Sequence, residues 1–278
     1  MSYLIVVISS ILFGIIPSLQ SLIMLGGASP VGTMTIAMSI STALSFVLSK
    51  LQKNTLCITK QQVFPILVSG LCLCLTDLLL DISYTIIPVG LTTMIHFMYP
   101  TIVCIINVLF FKEKGNKKII ISIIFAIIGL FCLGTADLHI NYFGIICALI
   151  TAGTYGSYMI LSGRSPLNSI PTQIFVFYVS LISSFIGWII VCFSHAAIPN
   201  LISNGWLVIL SSTMLFSATF LLKVGIKRIG STTASLLSVI EPVTSLLFST
   251  IMYSYHLNII TLLGCMFLLL SLVPVLKQ

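Results

Sequence analysis

Charge is what this sequence has least of. Only 6% of its 278 residues are Asp, Glu, Lys or Arg, and just five are acidic. Soluble domains carry about 25% charged residues, so a water-facing globular surface is excluded. No polar stretch is long enough to form a separate soluble domain. A Gly-rich phosphate loop is also missing, which argues against ATP as a driving force. No His/Cys cluster has the spacing of a metal centre, and no nucleophile sits at the spacing of a base. The chain is therefore not read as an enzyme, and neither metal nor cofactor is expected. The first residues, MSYLIVVISSILFG, lack the basic region of a cleaved leader and read as a spanning helix kept in the protein. The formal net charge of +7 is spread over short loops without forming a patch, which excludes nucleic acid as a partner.

What is there is apolar. Hydrophobic residues make up 58% of the chain, and the mean hydropathy is +1.22. Seven of the eight cysteines (all but Cys57) lie in apolar runs and read as small hydrophobic filler. A spanning helix needs about 20 mostly apolar residues. Ten runs fit, near 3–25, 31–49, 63–86, 89–111, 118–136, 140–161, 172–194, 204–226, 231–253 and 258–276.

The basic residues orient them. Lys50, Lys53 and Lys60 follow the second run, and Lys112, Lys114, Lys117 and Lys118 follow the fourth. Arg164 follows the sixth, Lys227 and Arg228 the eighth, and Lys277 ends the chain; the odd-numbered links hold none. Cytoplasmic loops carry the lysine and arginine excess, so the pattern predicts ten spans with both termini in the cytoplasm.

The chain also repeats. A shift of 142 residues carries Phe13-Gly14 onto Tyr155-Gly156 and Pro100 onto Pro242, and lays PVGLTTMIHFMYP over GSTTASLLSVIEP. Five spans per half is odd, so the second copy enters the membrane upside down. Inverted repeats around a site at the midplane are an architecture of secondary transporters. The predicted fold is an all-α membrane protein of ten transmembrane helices in two inverted five-helix repeats, residues 1–137 and 138–278.

The 5+5 layout, the aromatic-glycine pairs in spans 1 and 6, the YP and EP of spans 4 and 9, and Glu113 in FFKEK together resemble the drug/metabolite transporter superfamily. Its EamA-type exporters are the nearest branch. The resemblance covers the whole chain and implies a ten-helix transporter, with export more in keeping with it than uptake. Two positions depart from the pattern. The repeat partner of Glu113 is Tyr255, where many members have a second glutamate, and GTMTIAMS in span 2 lacks the arginine that many members carry there.

Ionisable groups inside a bilayer cost about 2.5–3.5 kcal/mol each on insertion scales and mark functional sites by default. Asp77, Asp81, Lys223 and Glu241 are such groups, with His96 beside them. Asp77 and Asp81 are four residues apart, on one helix face. Counted from the turn near residue 88 at about 1.5 Å per residue, Asp81 and His96 both sit roughly 10–12 Å inside the outer end. They are read as a buried pair, a pH-sensitive gate or a substrate contact. Lys223 is the repeat partner of Asp81, and inversion places it toward the cytoplasm. Its ammonium either snorkels to the inner interface or meets an anionic substrate group. Glu241 precedes Pro242 in mid-span and would bind a cation or proton, or a neighbouring hydroxyl. Its repeat partner, Tyr99, is the aromatic singled out for the site. Pro17, Pro100 and Pro242 are the predicted kinks on which helices rock.

These residues point to a secondary transporter in the cell membrane working by alternating access about a central cavity. The expected partners are the lipid bilayer and a small zwitterionic or cationic substrate such as an amino acid or amine, with protons as a candidate coupling ion. The expected state is monomer or homodimer. The alternative is a non-transporting membrane scaffold or accessory protein, which would turn its polar stripe outward.

Overall fold

The computed structural model describes residues 2–87, 89–112, 117–134, 141–253 and 259–276. Glu113 and Tyr255 lie outside them. The described residues are helical, with no strand among them. Six helices are long and apolar enough to cross a membrane: α1 (Ser2–Leu25), α2 (Pro30–Leu51), α3 (Lys60–Ile86), α7 (Tyr142–Gly163), α8 (Thr172–Ser194) and α9 (Leu201–Leu237). Between and after them come α4 (Val89–His96), α5 (Tyr99–Phe111), α6 (Lys117–Gly134), α10 (Ile240–Tyr253) and α11 (Ile259–Leu276).

Helix starts follow ordinary capping chemistry. Ser29 accepts the Gly32 N–H ahead of a first-turn proline. Asn141 accepts the Phe143 and Gly144 N–H groups, and Asn200 those of Ile202 and Ser203; these side chains satisfy donors that a helix start leaves orphaned. The radial pattern is that of a lipid-facing bundle. Phe64, Phe110, Phe131, Phe193 and Ile202 are exposed, whereas many serines and threonines are buried. Many of those hydroxyls return to carbonyls one turn back, as in Ser10 to Val6 O (2.8 Å) and Thr35 to Val31 O (2.7 Å), so small polar residues at close helix contacts mostly keep their donors satisfied.

Proline interrupts two helices, and the breaks fall just before it. α4 stops at His96 and α5 begins at Tyr99-Pro100; α9 stops at Leu237 and α10 begins at Ile240, two residues before Pro242. A proline lacks an N–H and its ring clashes with the carbonyl four residues earlier. The Ser238 carbonyl, which Pro242 cannot serve, accepts the Glu241 N–H at 2.9 Å instead. Pro17 behaves differently, since α1 runs through it without interruption. Within α9, Gly230 takes φ 79°, ψ 162°, a conformation open to glycine alone. This bend divides the helix at the KRIGS link.

The principal packing is between the two halves. α1 lies against α9 and α10, and α7 lies correspondingly against α3 and against α4 and α5; α2 packs on α8, and α6 on α11. One pair of contacts repeats closely. Gly14 of α1 rests on the Glu241 carbonyl, where a Cβ would come within 2.6 Å, and Gly156 of α7 faces the Tyr99 carbonyl, 3.7 Å from an added Cβ.

Candidate functional site

The break after His96 turns α4 and α5 so that their junction faces α7. Aromatic rings then form a column through the bundle. The His96 ring lies 5.3 Å from both Tyr99 and Tyr155, Tyr99 meets Tyr155 edge-on at 4.7 Å, and Tyr155 stacks on Tyr158 at 5.8 Å. Tyr158 is followed by Phe175 at 6.0 Å, and the Lys223 ammonium sits 4.1 Å over the Phe175 ring. Edge-on and offset ring pairs of this kind are attractive, and they give the interior a stiff wall.

The carboxylates lie on the helices around this column. Asp77 and Asp81 stand one turn apart on α3, which packs along α7. Asp77 lies near enough to Asp81, Tyr84, Tyr155 and Tyr158 to couple to them electrostatically. Glu241, in the first turn of α10, acts on Tyr84, Tyr99 and Tyr155. Tyr155 thus stands within reach of acids from both halves of the chain. Asp77 Oδ2, Asp81 Oδ2, Tyr99 Oη and Tyr158 Oη are buried with no hydrogen-bond partner in the protein. The Ser238 hydroxyl lies beside Tyr99 but outside hydrogen-bonding geometry with it, and it donates to the Ala234 carbonyl (3.1 Å). An unsatisfied buried polar group costs about 1–3 kcal/mol. Four such oxygens around one column call for partners that the protein does not supply, such as water or a bound ligand.

His96 does not meet Asp81. Its Nδ1 pairs with Thr151 Oγ1 of α7 at 3.0 Å, and neither Asp81 oxygen makes an ion pair with a described residue. Counting residues from the turn set the two side by side, whereas the His96 ring packs against α7. Lys223 lies apart from the acids. It is fully buried, its Nζ donating to the Ser162 carbonyl and, at 3.2 Å, to the Leu167 carbonyl. Neither snorkelling nor a free ammonium describes it: it ties α9 to the last turn of α7 and the turn that follows, where cations favour a helix C-terminus.

Nearby, Lys227 Nζ donates to the Ile170 carbonyl (2.6 Å). Arg164 donates to Asn107 Oδ1 (3.0 Å) and covers the Phe111 ring at 4.1 Å. The Asn107 amide in turn donates to Ser231 Oγ (3.1 Å) and Thr232 Oγ1 (2.8 Å). α5, α7 and α9 are therefore cross-tied at the end of the bundle that carries the lysines and arginines. Sequence reasoning missed Asn107 and Arg164. An amide inside the apolar run CIINVLFF was the available signal. Tyr155 was visible in its aromatic-glycine pair, but its position at the hub was not.

Helices with an apolar exterior, an interior lined by acids and phenols, and two interrupted helices at the site define a multi-pass membrane protein. The sequence matches the profile of the EamA-like transporter family over residues 1–135 and again over 142–276. The chain belongs to that family, within the drug/metabolite transporter superfamily. A solved crystal structure of a protein superposes with a TM-score of 0.83 at 14% identity, covering 98% of this chain and 95% of that one; at that identity the likeness shows the fold alone. Among curated proteins no match is found.

Proposed function

We propose that the protein is a ten-span secondary transporter built of two inverted five-helix halves, 1–137 and 138–278, with both termini in the cytoplasm of a cell whose plasma membrane it crosses. It exports a small zwitterionic or cationic metabolite, of the amino acid or amine kind, by alternating access. The observation that carries this reading is the set of four buried, unpartnered oxygens of Asp77, Asp81, Tyr99 and Tyr158 around Tyr155. They lie where the halves meet and where two helices are interrupted.

The interruptions supply the moving parts. Irregular backbone at membrane depth persists where it lines a cavity, and such discontinuous helices frame transporter sites. The breaks at Phe97-Met98 and Ser238-Val239 let α5 and α10 tilt against α7 and α1, opening the column to one side and then the other. The carboxylates couple the motion to an ion. A charge left bare inside the bundle is costly, so each carboxylate is neutralised by a substrate cation or by a proton, and exchanging one for the other drives export. A scaffold would turn Asp77 and Asp81 outward; the burial of Asp81 and of Asp77 Oδ2 favours transport.

The test is thermal stability of the detergent-purified protein against a metabolite panel, paired with flux in proteoliposomes. A ligand that binds only the folded state raises the melting temperature; at 100 times its Kd the gain is about 2.7 kcal/mol. The expected result is a shift by amines or amino acids that is lost in Asp81→Asn, with matching flux. A folded protein that neither shifts nor moves any solute would sink the reading.

A further inference from the structure

Charge balance inside the bundle narrows the substrate. We infer that the site takes an organic amine cation with an apolar body and no carboxylate, a refinement that rests on the transporter reading above. The acids of the column, Asp77, Asp81 and Glu241, make no ion pair with any described residue. Asp81 is 3% exposed, and with Tyr99 and Tyr158 at 0% and 1% it presents an unpartnered oxygen to the interior.

The cations, by contrast, are committed. Lys223 is held by the Ser162 and Leu167 carbonyls and the Phe175 ring, Lys227 by the Ile170 carbonyl, and Arg164 by Asn107 and Phe111. His96 is held by Thr151 and by tilted ring contacts with Tyr99 and Tyr155. The column's own ammonium, Lys223, is thus already engaged, and no cation among the described residues is left beside the three carboxyl groups to receive a substrate carboxylate, whose burial without a partner is costly.

An ammonium finds two kinds of partner here. Carboxylate oxygens accept its hydrogens in charge-assisted bonds, and the faces of Tyr84, Tyr99, Tyr155 and Tyr158 attract it through their quadrupoles. The column already accommodates one buried ammonium in this way, Lys223 over Phe175. The apolar part of the amine would lie along the same rings.

Matched pairs isolate the carboxylate: tyramine with tyrosine, phenethylamine with phenylalanine, agmatine with arginine. Each is measured by melting-temperature shift on the wild-type protein and by counterflow in proteoliposomes. At least one amine is expected to shift and exchange at concentrations tenfold or more below its amino acid, and Glu241→Gln is expected to weaken that amine tenfold or more. Equal or better binding by the amino acids would overturn the inference while leaving the transporter reading intact. Absence of binding and of counterflow by both members, in a protein that melts cooperatively, would overturn the two together.

Discussion

Two buried side chains of the same column, Tyr158 and Lys223, carry opposite expectations. The Tyr158 hydroxyl has no partner in the protein, so folding gains nothing from it. Tyr158→Phe is expected to leave the melting temperature unchanged or raise it by the equivalent of about 1 kcal/mol, since deleting an unsatisfied buried polar atom is neutral or favourable. If the hydroxyl serves the substrate, the same variant raises the KM for transport. Lys223 is the reverse case. Lys223→Met strips the Ser162 and Leu167 carbonyls of their donor and should cost about 1–3 kcal/mol, with KM unaltered in the protein that remains folded. Melting curves set beside liposome kinetics separate the two. That both residues carry chemistry was legible from their placement in apolar runs. Which one folds the protein and which one serves the site was not, because partners from α7 and the turn after it lie 61 and 56 residues away in sequence.

Among the helices, glycine marks where contact is closest, and the two repeat-related glycines are unequal. A Cβ on Gly14 would stand 2.6 Å from the Glu241 carbonyl and 2.7 Å from Thr244 Cβ, whereas on Gly156 its nearest neighbour is Ile102 at 3.5 Å. Gly14→Ala must push α1 off the start of α10, at roughly 1–3 kcal/mol for overpacking. Gly156→Ala enters ordinary contact distance and should be tolerated, even gaining slightly in helix propensity. Thermal melts of the two variants side by side check this; equal losses would mean that α1 and α7 sit equally tightly. The sequence showed both glycines, and the apolar lengths that locate the long helices, because bilayer thickness imposes that length. It showed the prolines too, but not where the helices stop: the ring acts on the turn before it, so the ends fall at His96 and Leu237. Pro17 reads just as strongly, yet α1 continues through it.

For the molecule as a whole, the cross-tie of Asn107 with Arg164, Ser231 and Thr232 is the feature that the proposed alternating access must undo. It joins α5 and α9 to the residue following α7, three elements from both halves, at the end that carries the basic residues. The aromatic column lies behind it. In the proposed alternating-access cycle these bonds part when that end opens and form when it closes. Asn107→Ala removes three hydrogen bonds at once, each with a net value of about 0.5–1.5 kcal/mol, rising to roughly 1.5–3 for the one to the guanidinium. A bias of a few kcal/mol moves a two-state equilibrium by one to two orders of magnitude. Native cysteines report the shift without further engineering. Cys104 is buried one turn before Asn107 on α5, and Cys147 is buried near the opposite end of the bundle, in the first turns of α7. Maleimide labelling followed by mass spectrometry is therefore expected to rise at Cys104 in Asn107→Ala and to stay level or fall at Cys147. A rise at both sites would mean general loosening, and no rise at Cys104 would mean that the cross-tie does not hold the closed end.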